Sequence, residues 1–286
     1  MRFNAKSILC SAVAVLGLAT TVITTAQAAN VAIVGQTSRF GQASAFFQSE
    51  FSDTVSLFGS YAAIPNLQTF DIIWDVDYSA NAGAVQAQRV IDFVNSGRGF
   101  YGQVERPCCE SHNQWLQGIT RTLTGDNDIQ LGGAGDSSNP NLPSQFLTPD
   151  LTILLDPNDI RNTTFNSSAP GQMSNIDPAR IFATQPFAGG FNVGAAWGPL
   201  DLVNDAGRLV LVSDVDWIDQ LTQDERNALE NFREFLLAGV TLPPGCGENP
   251  NLPGCERPPS VPEPGVLALL GLGLAGLGLA RRRRQR

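Results

Sequence analysis

The sequence predicts an α/β fold: a mostly parallel sheet with helices on both faces. Three observations carry this expectation. Short apolar runs at residues 30–35 and 207–214 are rich in Val, Ile and Leu and lack alternation, which suits strands buried on both faces. Residues 84–95 carry an apolar stripe at helical spacing. Strand-like and helix-like segments alternate along the chain, the order of βαβ units.

The elements follow in order. The run 30–35 ends at Gly35, and Ser38 would cap a helix carrying Ala43, Ala45, Phe46, Phe47 and Phe51. Residues 54–58 and 70–76 read as strands. In the helix over 84–95, Val85, Val90, Ile91, Phe93 and Val94 form the stripe and Gly97 ends it. A strand over 98–104 follows, then a helix over 113–123 with Trp115, Leu116 and Ile119 inward. Gly, Asp, Asn, Ser and Pro dominate residues 125–149, which read as loop. Residues 151–155, 191–197 and 207–214 read as strands. The last helix covers 222–238: Thr222 caps it, Asp224 and Glu225 suit its first turn, and Gly239 stops it. Trp74, Trp115, Trp197 and Trp217 could stack on sugars, but each lies in or beside a predicted element and is more simply core.

The two ends of the 286-residue chain read as addresses rather than fold. Arg2 and Lys6, an apolar run over 8–19 and Ala26-Gln27-Ala28 form the three parts of a secretion signal over residues 1–28, with Ala29 as the mature start. The Sec translocon and signal peptidase are its implied partners. The α/β domain then covers 29–240, and a Pro/Gly-rich linker without apolar period covers 241–260. Residues 265–280 are apolar, about 24 Å as a helix and short of the usual span of roughly 20 residues. Arg281, Arg282, Arg283 and Arg284 can snorkel to extend this transmembrane helix and place its end on the cytoplasmic side.

Pro262-Glu263-Pro264, the short Gly/Leu-rich helix and the terminal arginine cluster resemble the PEP-CTERM sorting signal of Gram-negative bacteria. The resemblance covers residues 261–286. It implies recognition of the tripeptide by exosortase and removal of the helix. The protein would be transiently anchored in the inner membrane and then reach the cell surface or an extracellular matrix rich in exopolysaccharide.

The formal net charge is −9. Without the seven basic residues and the one acidic residue of the two ends, 11 basic face 26 acidic residues, a net −15. Such a body repels nucleic acid, which is bound through Lys and Arg. Lys6 is the only lysine, so the mature domain has none.

Two segments of the body resemble a known superfamily. Residues 90–102 run helix, Asn-Ser-Gly-Arg-Gly, strand; residues 208–216 end a strand in Ser-Asp-Val-Asp before a helix bearing Asn227 and Asn231. Both are similar to class I glutamine amidotransferase-like domains. The resemblance implies a flavodoxin-like α/β fold over most of residues 30–240.

Cys108-Cys109-Glu110-Ser111-His112 is the most reactive-looking segment and holds the only histidine. In the amidotransferase-like superfamily a nucleophilic Cys sits on a tight turn directly after such a strand, and a His takes the thiol proton. Here Tyr101-Gly102-Gln103-Val104-Glu105 occupies the turn, and the cysteines follow Pro107. We therefore expect no catalytic residue; the alternative is a hydrolase using Cys109, His112 and Glu110. Export to an oxidising compartment favours cystines. Cys108, Cys109, Cys246 and Cys255 allow three pairings, the simplest a local Cys246–Cys255 bridge with a vicinal Cys108–Cys109 pair. Zinc-ligand spacing is lacking. Carboxylates cluster at Asp126/Asp128, Asp156/Asp159 and Asp214/Asp216/Asp219 without an EF-hand loop, so no cofactor is expected beyond weak Ca²⁺. Asp214 and Asp216, at the carboxyl end of a strand, are the best ligand-site candidates, because α/β folds bind there.

The function expected is that of an exported surface or matrix protein with a non-catalytic binding or structural domain. A secreted amidotransferase-like hydrolase is the rival.

Overall fold

The computed structural model describes residues 28–35, 40–78, 81–133, 143–167, 169–186, 190–219 and 221–238. The expected leader up to residue 27, Ser38, Gly239, the expected linker with Cys246 and Cys255, and the tail over 261–286 lie outside the described residues.

The elements run β1 (Asn30–Val34), α1 (Phe40–Phe51), β2 (Thr54–Phe58), β3 (Ile72–Asp75), α2 (Ala84–Asn95), β4 (Gly99–Val104), α3 (Glu110–Thr124), β5 (Gln130–Gly133), β6 (Ser144–Phe146), α4 (Thr152–Leu155), β7 (Thr164–Phe165), β8 (Gln172–Ser174), β9 (Ile181–Gln185), β10 (Phe191–Trp197), β11 (Arg208–Ser213) and α5 (Gln223–Leu237). The sheet is ordered β2-β1-β3-β4-β11-β10-β9-β6-β7, with β8 beside β10 and β5 beside β8. The first five strands of that path are parallel neighbours. From β10 onward every described pairing is antiparallel.

The sheet is thus mixed rather than mostly parallel. The reason lies in the connections. Helices α1 and α2 provide the crossovers that parallel strands require. Between β5 and β10 no described helix is longer than the four residues of α4, so the strands there return beside one another in opposite directions.

The parallel strands divide their side chains between two cores with period two. Val31, Ile33, Ile72, Trp74, Tyr101, Val210 and Val212 join Phe46 and Phe47 of α1 and Leu229 and Phe232 of α5 on one face. Ala32, Val34, Ile73, Phe100, Leu209 and Leu211 join Val90 and Phe93 of α2 and Leu116 and Ile119 of α3 on the other. All four tryptophans are buried, and Trp74 stacks on Tyr101 with 4.1 Å between ring centroids.

Three local expectations change. Residues 151–155 form a helical turn, α4, in place of a strand; four apolar residues carry no period that separates the two. The segment 125–149 contains β5 and β6. Helix α3 begins at Glu110, because the 3-10 turn over Pro107–Cys109 feeds directly into it.

Candidate functional site

Strands β1, β3, β4 and β11 end side by side, and the carboxyl ends of β3, β4 and β11 carry the buried polar residues Asp75, Glu105, Ser213 and Asp214. Asp75 closes β3. Its carboxylate accepts from the Tyr61 hydroxyl at 2.7 Å and from the Asp77 N–H at 2.9 Å. Burial pushes its pKa up to about 6, with the nearby His112 opposing the rise. Gly35 fits here because its φ is +126° and a Cβ would lie 2.5 Å from the Asp77 nitrogen.

Glu105 follows β4 directly. The Asn113 side chain of α3 clamps its backbone, accepting from the Glu105 N–H at 2.9 Å and donating to its carbonyl at 2.8 Å. The Glu105 carboxylate accepts from the N–H of Val215 at 2.7 Å and of Arg106 at 3.3 Å. Burial, reinforced by the charge of Asp214, pushes its pKa up to about 8, so the group is largely protonated at neutral pH.

Asp214 follows β11 in the left-handed region, φ +82°. Its carboxylate accepts from Asp216 N–H at 2.9 Å and Ala169 N–H at 2.8 Å. Those bonds, and the Gly171 N–H on the Ser213 hydroxyl at 2.6 Å, draw the segment 169–171 over the strand ends. A Cβ on Gly171 would meet the Glu105 carbonyl at 2.1 Å, so only glycine allows this approach.

Between these loops lies an open cleft of about 240 Å³ whose walls include Tyr78, Arg106, Cys108, Cys109, Asp214 and Asp216. The sequence candidates Asp214, Asp216, Cys108 and Cys109 meet there. His112 and Glu110 do not line it. The His112 ring is buried, 5.6 Å from Trp115, with Nε2 3.9 Å from the Asp75 carboxylate. Glu110 points outward and bonds Gln114. Cys108 and Cys109 are free thiols, so the vicinal bridge is not formed in the structure. Burial and the neighbouring Cys108 push the Cys109 thiol up to about 12. It is protonated at neutral pH and lacks the thiolate that nucleophilic attack requires. Among the described residues no group of three or more His, Cys, Asp or Glu could hold a metal ion. Sequence reasoning passed over Glu105 and Arg106, although the rule that selected Asp214, a polar residue just past a strand's carboxyl end, applies to them equally.

Comparison with known proteins bears on the chain end and on the fold. The family model described as the PEP-CTERM protein-sorting motif matches residues 260–284. The chain carries a PEP-CTERM sorting signal. That signal belongs to exported proteins processed by exosortase and held at the membrane for sorting. No helix among the described residues is long and apolar enough to cross a membrane; residues 265–280 lie outside them.

No curated protein matches the chain. Among solved structures, the mmIFT52 N-terminal domain aligns with TM-score 0.53 and 12% identity, over 73% of this chain and 98% of that one. A ThuA-like protein from Bacteroides uniformis aligns at 0.47 and 11%, over 72% and 90%. Another from Parabacteroides merdae aligns at 0.46 and 9%, over 74% and 91%. The first likeness is one of fold alone.

Proposed function

We propose that this PEP-CTERM protein acts at the cell surface or in the extracellular matrix, where its α/β domain is a non-catalytic binding module of the exopolysaccharide layer. The sorting signal at 260–284 carries the reading. The leader takes the chain through the Sec translocon, signal peptidase frees Ala29, and the helix over 265–280 holds the domain until exosortase removes it.

The cleft supports binding over catalysis. Burial pushes the Cys109 thiol up, against thiolate formation, and the histidine lies against Asp75 outside the cleft. Asp214 and Asp216 offer acceptors, and Arg106 is the cationic residue of its walls. That set suits a polyhydroxyl ligand, whose hydroxyls both donate and accept. A body of net charge −15 disfavours a polyanionic one.

Co-sedimentation of the full mature protein with exopolysaccharide purified from the producing bacterium tests this. The wild type should pellet with the polymer, and the double variant Arg106→Ala, Asp216→Asn should lose at least about tenfold in affinity, roughly 1.4 kcal/mol. No association, or equal association of the variant, would count against the binding role. Brief alkylation at pH 7 followed by peptide mapping tests the rival: a fast-reacting Cys109 would restore the hydrolase reading.

A further inference from the structure

At the amino ends of the parallel strands, opposite the cleft, β1 enters the sheet through a buried charge cluster. The Ala29 N–H donates to Asp53 Oδ1 at 2.8 Å, and both residues are 5% exposed. The Asn30 N–H donates to Asp71 Oδ2 at 2.8 Å. Asp53 also takes two bonds from Arg233 of α5, Nε to Oδ2 at 2.8 Å and Nη2 to Oδ1 at 2.5 Å. Arg233 pairs in turn with Glu234 and lies over the Phe51 ring, 4.3 Å from its centroid. Asp53 and Glu234 thus set two negative charges on the Arg233 guanidinium, and Asp71 adds a third at the Asn30 N–H, where Arg98 is its nearby cation. Ala28 and Ala29 themselves line a cavity of about 470 Å³, whose polar walls are Asp71, Asp156, Arg208 and Glu234.

We propose that this pole is a socket for the mature N-terminal ammonium: hydrolysis after Ala28 leaves the α-amino group of Ala29 docked on Asp53, facing the cavity. The inference rests on reading residues 1–28 as a cleaved leader. Cleavage adds water across the Ala28–Ala29 peptide bond. The hydroxyl goes to the Ala28 carbonyl and the hydrogen to the Ala29 nitrogen, which then takes up a further proton. The donor already placed on Asp53 Oδ1 becomes one of three, and the other two face the cavity that Ala28 and Ala29 line. The bond to the Asp53 carboxylate, charge-assisted already through its acceptor, becomes an ion pair with charge on both sides. The cluster loses one unit of its negative excess.

The surrounding charges decide how the amine titrates. Asp53 comes from the turn before β2, Asp71 precedes β3 with Arg98 near it, Arg233 and Glu234 come from α5, Asp156 follows α4, and Arg208 opens β11 and bonds the Ala238 carbonyl; four carboxylates thus face three guanidiniums. Carboxylates outnumber guanidiniums, so the ammonium form is favoured. Its pKa rises above the ordinary value of about 8.

The sequence supplies the probe. With Lys6 removed in the leader, the α-amine is the sole primary amine of the mature chain, so an amine-acylating reagent reads it alone. The full chain is expressed with its leader and recovered after export, beside a variant with Gly-Ser inserted between Ala28 and Ala29. N-terminal sequencing establishes each start. Acylation at pH 7.5 is then timed for folded protein and for the same protein in urea. In the wild type the folded amine should react at least about tenfold more slowly than the unfolded one, the effect of one unit in pKa. In the insertion variant the two rates should agree within about twofold. A start other than Ala29 would overturn both the leader reading and the socket. A start at Ala29 with no protection, or equal protection in the insertion variant, would overturn the socket alone.

Discussion

Glu105 is held at the end of β4 by partners that fix it from both sides, the Asn113 amide on its backbone and the Val215 N–H on its carboxyl. Its pKa of about 8 in the folded protein exceeds the ordinary carboxylate value near 4.5. Between those two values the folded state keeps a proton that the unfolded state has released. The stability that Glu105 contributes is therefore complete below about pH 4.5 and is lost as pH rises through about 8. Asp75, raised to about 6, acts in the same direction over the lower part of that range. Replacing Glu105 by Gln keeps an acceptor for Val215 without the titration. We expect urea melts of the wild type to lose on the order of a few kcal/mol from pH 5 to pH 8, and Glu105→Gln to remove most of that loss. A wild type equally stable at both pH values would contradict the buried, protonated Glu105. None of this was visible in sequence, since Glu105 looks like any surface glutamate until Asn113 and Val215 are folded against it.

At the scale of elements, the last helix shows what local sequence can specify. Thr222 and Glu225 form a reciprocal capping box: Glu225 accepts from the Thr222 N–H at 2.7 Å, and the Thr222 hydroxyl accepts from the Glu225 N–H. Glu225 is also buried and accepts from the Asn166 N–H at 2.8 Å, tying α5 to the segment after β7. Thr222→Ala should cost about 1 kcal/mol. Glu225→Ala should cost about 2 to 3 kcal/mol, because it also strands the Asn166 donor. Equal losses in urea unfolding would mean that the tertiary bond adds nothing. The cap, the α2 stripe and the β11 run were legible because each is written in contiguous residues. The antiparallel half was not. Strands β6, β7 and β8 have two or three residues each, too few to show a period; β6 is placed by pairing with distant β9, β8 by pairing with β10, and β7 by pairing with β6. The cleft was half legible for the same reason. Asp214 and Asp216 follow a recognisable strand, whereas the separation of Cys109 from His112 follows from how α3 turns its histidine toward Asp75.

On the scale of the whole molecule, the domain has two poles. Ala28–Ala29 and Leu237–Ala238 line one cavity at the amino ends of the strands, so the chain enters and leaves the domain together. The candidate cleft lies at the carboxyl ends. The acidic body predicts a diffuse response to cations. Ca²⁺ should raise the melting temperature gradually, and NaCl should reproduce much of the effect by screening. A saturable rise at low Ca²⁺, abolished by Asp214→Asn or Asp216→Asn, would place a specific site at the strand ends. The central claim, that the tail is a sorting signal which releases this domain, rests on Pro262-Glu263-Pro264 at the head of the matched segment. Intact-mass measurement of secreted and membrane fractions tests it most directly, comparing the wild type with Glu263→Ala in a host that makes exosortase. The account predicts a secreted wild type without residues 265–286 and a variant that keeps them in the membrane fraction. Equal processing of the two chains, or a secreted wild type with its tail intact, would contradict it.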